Sequence, residues 1–389
     1  MKMKSKYADM PLQTISRKVW SSLIDGLLLL VLGVILTLTA GFGILKSNET
    51  FVMNNNQCFE SIKEMYKMQD EAKLQKLVSD DETKIMATAD YFKEYIIKQI
   101  RLSYITFEDE FKKQNININV TENNYSTLEN DELAYYFVFY KVEKNINIDD
   151  YNNKNPLVYF KEDVLFENIN KDYYLDVSDK LPVIKSEIAI DLYKHYLGEE
   201  NNVDIYREFS NAVIRIRNVG LVDLKSYEVF EDFYNKYLES YIVMAKYENI
   251  ILLAMFGVSY IILIGISNIV FKNGMTVGKL LTRTRHINNN DNKIGVVRRI
   301  VLTFLGMILF APTTILISLF TFGFENMAMP MFVIGSLSIS FMQLVLVCVA
   351  FLIVNFLITS VISSHRSLID IFTSTKQVDV TYFIEEKKE

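Results

Sequence analysis

Ser16–Gly43 reads SRKVWSSLIDGLLLLVLGVILTLTAGFG. Arg17 and Lys18 give it a basic entry, Asp25 follows, and no charge appears again before Lys46. At the rise of an α-helix, such a run crosses most of a hydrocarbon core of about 30 Å. The stretch reads as a membrane helix with a carboxylate at its mouth and an arginine two turns earlier. A cleaved leader shares the basic entry and a small residue such as Ala40. Here the apolar run is long and a tail precedes it, so the expectation is a retained span. Trp20, the only tryptophan, stands where an interfacial ring belongs.

The apolar residues gather in four blocks, of which this stretch holds most of the first: Leu23–Leu45, Asn249–Phe271, Ile300–Phe324 and Met329–Val361. Between the first two lies a polar region of a size that folds with its own core. Residues 47–247 carry 37 acidic and 24 basic side chains, a net of −13, whereas the remainder carries 10 acidic and 17 basic, a net of +7. The overall charge of −6 therefore belongs to one region, and that acidity argues against a nucleic-acid partner. Cys58 and Cys348 are the only cysteines, too few for a disulfide framework.

Periodicity predicts a helical pattern over 57–113 with a break near Ser79–Asp81, and further helices over Ile184–Leu197 and from about Ser226 into the second apolar block. Asn117–Thr121, Leu133–Val142 (LAYYFVFYKV), Pro156–Phe160 and Tyr173–Val177 read as strands between Asn- and Asp-rich turns. No internal repeat is evident. Pro312 falls mid-span, with Thr313 and Thr314 available to satisfy carbonyls freed by a kink. The short connector Glu325–Ala328 makes the last two blocks a hairpin.

The expected fold class is an all-α transmembrane bundle of four helices with a large extracytoplasmic α+β domain inserted between helices 1 and 2. Its parts are a cytoplasmic tail (1–22), helix 1 (23–45), the extracytoplasmic domain (46–248), helix 2 (249–271), a basic cytoplasmic loop (272–299), helix 3 (300–324), helix 4 (329–361) and a cytoplasmic C-terminal tail (362–389). Lysine and arginine concentrate in the tails and the 272–299 loop. Four spans put all three on one side, which the charge bias makes cytoplasmic.

Three separated pieces share one character: Arg17 with Asp25, the loop stretch TVGKLLTRTR, and the tail stretch HRSLIDIFTSTKQVD. Together they resemble the RDD family of bacterial membrane proteins. Arg17 resembles the family arginine, Asp25 its first aspartate and Asp370 its second. Thr276, Gly278, Lys279 and Leu281 match its loop pattern, Arg285 a further basic position, and Leu368, Asp370 and Thr375 its ending. The chain departs from the pattern at Ile369, where histidine is common, and at Ser374 and Arg283, where glycine is usual. The resemblance covers the tails and spans and leaves 47–247 outside. It implies a bacterial cell-membrane protein, and cation/proton transport has been proposed for some members.

The residues themselves suggest a polar cluster joining the first helix, the loop and the tail. In it Arg17 pairs with Asp370 or Asp25, and Lys279 or Arg285 adds charge. Two readings stand: a transport path, or a structural clasp in which each buried acid is neutralised. The spans hold no other ionisable side chain; Asn268, Gln343 and Asn355 are their deep amides, which more often glue helices together. The histidines, His195, His286 and His365, are scattered, and there is no metal-binding, phosphate-binding or nucleophile motif. No enzyme activity, cofactor or metal is expected. The expected partners are the lipid bilayer, a second copy of the chain, and a protein bound through the extracytoplasmic domain. A non-enzymatic sensor or scaffold is the alternative to a transport-related or envelope role.

Overall fold

The computed structural model describes residues 11–122, 124–146, 154–198, 203–271, 275–290, 293–307, 330–334, 337–362 and 366–381. It is mostly helical, at 71%. Helix α1 runs over Ile15–Ser47. Thr14 starts it in an extended conformation, its side chain accepting from the Arg17 amide. The buried residues of its first turns, Ser21, Asp25, Leu29 and Gly33, recur every four positions, so one narrow stripe faces protein. At Thr37–Gly41 the helix widens into a π turn. There the hydroxyls of Thr37 and Thr39 donate to the carbonyls four residues back, which loosens the ladder. Asn48 leaves helical geometry and accepts from the Phe51 amide, ending α1 and capping α2 (Glu49–Glu71).

After a turn region come α3 (Thr88–Thr106), α4 (Glu108–Lys113), α5 (132–143) and α6 (156–168). A minimal antiparallel pair follows, β1 (Tyr174–Leu175) with β2 (Val183–Ile184), then α7 (Ser186–Tyr196) and α8 (Val203–Lys225). Helix α9 (Glu228–Val270) is one continuous element, with a π stretch at Ile261–Ile266. The remainder is α10 (Val277–Leu281), β3 (Thr284–Asn288), α11 (296–307), β4 (Pro330–Ile334), β5 (Leu337–Ser340), α12 (Phe341–Val361), α13 (Leu368–Phe372) and β6 (Thr375–Asp379).

The chain divides into two compact units, Asn56–Glu239 and the remainder. The helices α1 and α9 are long and apolar enough to cross a membrane. In the remainder, Gly33 and Gly41 let α1 approach α9: a Cβ on either would press on Phe256 or Ile251.

The helical pattern with its break, and the helix running into the second apolar block, are found as read. The strands are not. LAYYFVFYKV is helix α5, because Asp131 caps it by accepting from the Ala134 amide. Its buried residues, Leu133, Ala134, Tyr136, Phe137, Tyr140 and Lys141, repeat at helical spacing. A run apolar at almost every position has no period of two to enforce a strand. Pro156–Phe160 opens α6, with Asn155 as cap and Pro156 in the first turn, the pairing that favours a helix start. Asn117–Thr121 is unpaired, and of Tyr173–Val177 only Tyr174–Leu175 pairs. Among its described residues the unit is thus helical, with one two-residue ladder and an isolated Leu77–Ile85 bridge, rather than α+β. Its core runs from Met65 to Phe230 and is rich in Tyr and Phe.

The block 329–361 is also not one helix. Its first part is the antiparallel pair β4–β5, and α12 begins only at Phe341, where Ser340 and Gln343 form a reciprocal capping box. Most of the third block, with Pro312, Thr313 and Thr314, and the connector Glu325–Ala328 lie outside the described residues; Ile300–Met307 is helical as expected.

Candidate functional site: a buried charge cluster

The loop and the tail fold alike. Thr276 caps α10 and Ser367 caps α13, each hydroxyl accepting from the amide three residues on. After each one-turn helix the backbone passes through a left-handed residue, Arg283 (φ 54°) or Ser374 (φ 53°), and enters a strand. The strands β3 and β6 pair antiparallel, with His286 opposite Gln377. The segment before α1 joins the same sheet: Leu12 bridges to Val378, and the Gln13 amide donates to the Gln377 carbonyl at 3.0 Å. Left-handed backbone strains any residue but glycine. Here Arg and Ser bear that strain.

Asp25 is buried under α10. One carboxylate oxygen accepts from the Gly278 amide at 2.7 Å and the other from the Thr276 hydroxyl. Gly278 is required at this contact: a Cβ would overlap the Ser21 carbonyl oxygen and crowd the Asp25 carboxylate. Asp370 is fully buried. It accepts from the Ser367 amide at 3.1 Å and hydroxyl at 2.8 Å, from Thr375 at 3.3 Å and from Gln377 at 3.5 Å. The Lys18 amine lies 3.4 Å from it, and His286 Nδ1 lies 3.3 Å from its other oxygen.

Burial alone would raise the Asp370 pKa, but contact with His286, the Lys18 charge and the Ser367 hydroxyl outweigh it and hold the carboxyl below its ordinary range. His286 is pushed down to about 4, first by burial and then by the Lys279 charge, against the pull of Asp370. It is therefore neutral at pH 7, and we attribute the ionisation of Asp370 to Lys18 and the hydroxyl and amide donors. Lys279 is half-buried as a residue, but its amine is enclosed, and burial lowers its pKa against the pull of Asp25 and Asp370.

Of the residues expected to cluster, Asp25, Lys279 and Asp370 line one cavity, and Arg17 and Arg285 do not join them. Arg17 pairs with neither expected acid; its guanidinium contacts Asp379 and donates to Thr381 at 3.1 Å. The base at Asp370 is Lys18, the next residue. Arg285 stands on β3 between Thr284 and His286, so strand alternation turns it to the face opposite theirs. His286, Asp379 and Ser367 were missed. The signal for Ser367 was present, a serine three residues before an acid. That for His286 was not, because only its pairing opposite Gln377 brings it to the cluster.

Beside the cluster is a cavity of about 490 Å³, bounded by residues of α1, α9, α11 and α12 as well as the loop and tail. Asn268 and Asn355 line it. The Asn355 side-chain oxygen accepts from the Leu368 amide at 2.9 Å, tying α12 to α13. Among the described residues no group of three or more His, Cys, Asp or Glu is placed to hold a metal. No family model, curated protein or solved structure matches the chain.

Proposed function

We propose that the chain is a multi-pass bacterial cell-membrane protein of the RDD type, with four spans and with both tails and the 272–299 loop in the cytoplasm. In this reading residues 46–248 face outward, and the protein handles a solute at the cavity beside the charge cluster. The observation that supports it most is that cavity, which lies among the ends of long apolar helices and reaches two carboxylates, two lysines and a histidine. The cluster is first of all a clasp: Asp25 and Asp370 each have both oxygens engaged by protein donors. An unpaired charge in a dry site is costly, and such saturation removes the cost.

Cation/proton exchange, the activity proposed for some RDD proteins, is the first to test. Proton flux driven by sodium or potassium gradients is compared in vesicles of the wild type, Asp25→Asn and Asp370→Asn at matched insertion. Flux lost in either variant with the fold retained makes the cluster part of the path. No flux in the wild type sets exchange aside.

A sensor or scaffold role is the second reading, favoured by the separate aromatic core of Asn56–Glu239, which gives that unit the means to act as a binding body of its own. Specific, saturable binding of one protein by that unit would favour it.

A further inference from the structure

The loop and the tail are two copies of one piece, and the likeness extends into the helices. Adding 91 to the number of each residue of α10 and β3 gives the residue at the same place in α13 and β6. The same shift carries Val270, the end of α9, onto Val361, the end of α12, and both helices are followed by an extended residue. Details repeat as well. Thr282 and Thr373 each donate to the carbonyl four residues back, and each hydroxyl meets that of a second threonine two residues on. The Val380 amide donates to the Arg283 carbonyl, and the Asn289 amide to that of Ser374.

The first helices match with a shift of 281, which carries Ile15, the start of α1, onto residue 296, the start of α11. The same shift carries Leu12 onto Lys293. Leu12 bridges to Val378 of the second copy, and Lys293 bridges to Ile287 of the first. Each module thus lends an edge to the other's strand. The arrangement has an internal two-fold axis through the facing pair His286 and Gln377. The difference between the shifts, 190 residues, is the extra length of the first module, which contains the Asn56–Glu239 unit.

The cavity lies on this axis and is lined by equivalent residues of both modules: Asn268 with Thr359, Lys279 with Asp370, His286 with Gln377. The modules have diverged at these positions. Where the first has Asp25, the second has Gly306, and a Cβ there would overlap the Tyr260 hydroxyl, which donates to the Thr303 carbonyl at 3.0 Å. Many secondary transporters built from internal repeats carry their substrate sites at the interface between the repeats.

The chemistry of the ligand follows from which acceptors remain. Asp25 and Asp370 are engaged by protein donors, as described. The Asn268 side chain, 4% exposed, donates to Thr303 at 3.3 Å, but its oxygen has no hydrogen-bond partner among the described residues. Apolar Ile264, Leu302 and Phe356 line the same cavity. The two carboxylates and two lysines of the lining balance, so neither a cation nor an anion finds a net counter-charge there to repay its lost hydration, and an anion would also meet the Asn268 oxygen lone pair to lone pair. A neutral hydroxyl or amide donor satisfies it. We propose that the helices and their capped strands are a duplicated two-helix module, and that the cavity on its two-fold axis binds a small neutral solute through a donor to Asn268.

This rests on the solute-handling reading above, and its test does not use ion flux. In the full chain in detergent, with Cys58→Ser and Cys348→Ala, a cysteine replaces Asn268 or, separately, its counterpart Thr359. A third chain carries it at exposed Asp204 as the reference. Each reacts with methyl methanethiosulfonate (neutral), its trimethylammonium-ethyl analogue (cationic) and its sulfonatoethyl analogue (anionic). Relative to Asp204→Cys, the neutral reagent is expected to be favoured by about tenfold or more at both cavity positions, because a charge loses hydration on entry. Equal or faster reaction with the cationic reagent would overturn the neutral-solute assignment. Protection from all three at both positions in folded protein would overturn the site itself. Absence of proton flux in vesicles would leave either result unchanged.

Discussion

Asp131 in the polar unit and Asp370 in the tail are both completely buried carboxylates at the start of a helix, and they titrate in opposite directions. Asp131 caps α5, with Gln99 and Ser126 as its side-chain donors. Burial, with the neighbouring Glu132 charge added, pushes it up to about 7. Asp370 has the same kind of neutral donors but also Lys18, and stays below the ordinary carboxylate range. Burial disfavours the charged form at both sites; at Asp370 the His286 contact and the Lys18 charge outweigh it, and at Asp131 the pull of Lys98 does not.

The largest effect expected from this contrast is at the tail. Asp370→Asn removes the carboxylate that the Lys18 amine faces at 3.4 Å and one of the two acids that act on Lys279 in an enclosed site, and should destabilise the apolar unit by about 3–5 kcal/mol. Thermal unfolding in detergent measures it, and a loss below about 1 kcal/mol, the value of an exposed pair, would break the comparison.

The next effect is a pair of opposite pH slopes. The folded pKa of Asp131 is raised, so the unfolded chain releases its proton first, and the polar unit loses stability as pH rises from about 4 to about 7. The folded pKa of His286 is depressed to about 4, so the unfolded chain binds its proton first, and the cluster loses stability as pH falls from about 6.5 to about 4. Hydrogen exchange in the full chain should show α5 opening more readily at pH 8 than at pH 5, and β3–β6 the reverse. Asp131→Asn should flatten the first slope and leave the second. Parallel slopes in the two regions would contradict the account.

The smallest effect isolates backbone from charge. Ser374→Gly relieves a left-handed residue four positions after Asp370 without touching its donors, and Arg283→Gly does the same in the other copy. Each should stabilise by about 0.5–1 kcal/mol, with no change in either pH slope. Destabilisation would mean that the side chains at these positions contribute more than the strain costs.

Much of the cluster was legible in sequence because polar groups next to apolar helices have few places to go. Arg17, Asp25, Lys279 and Asp370 stood out beside the apolar blocks, and Asp25, Lys279 and Asp370 line one cavity. Their partners were not legible. Lys18 and Arg17 are adjacent, and only the direction each takes from α1 assigns Asp370 to the first and Asp379 to the second. The duplication was hidden for a related reason. Thr282 and Thr284 recur as Thr373 and Thr375, but Gly278 aligns with Ile369 and Lys279 with Asp370. Two packed copies complement each other, so they diverge at the positions that touch.

The two long apolar helices and the separate acidic region were legible along the chain, because they depend on local composition. The helix at LAYYFVFYKV and the start of α12 at Phe341 carry local caps, Asp131 and Ser340, that went unread, whereas only the folded structure shows which base meets which acid and that two unlike segments share one axis. Those outcomes depend on which surfaces are buried against each other. A side chain's neighbours across a packed interface leave no fixed spacing along the chain.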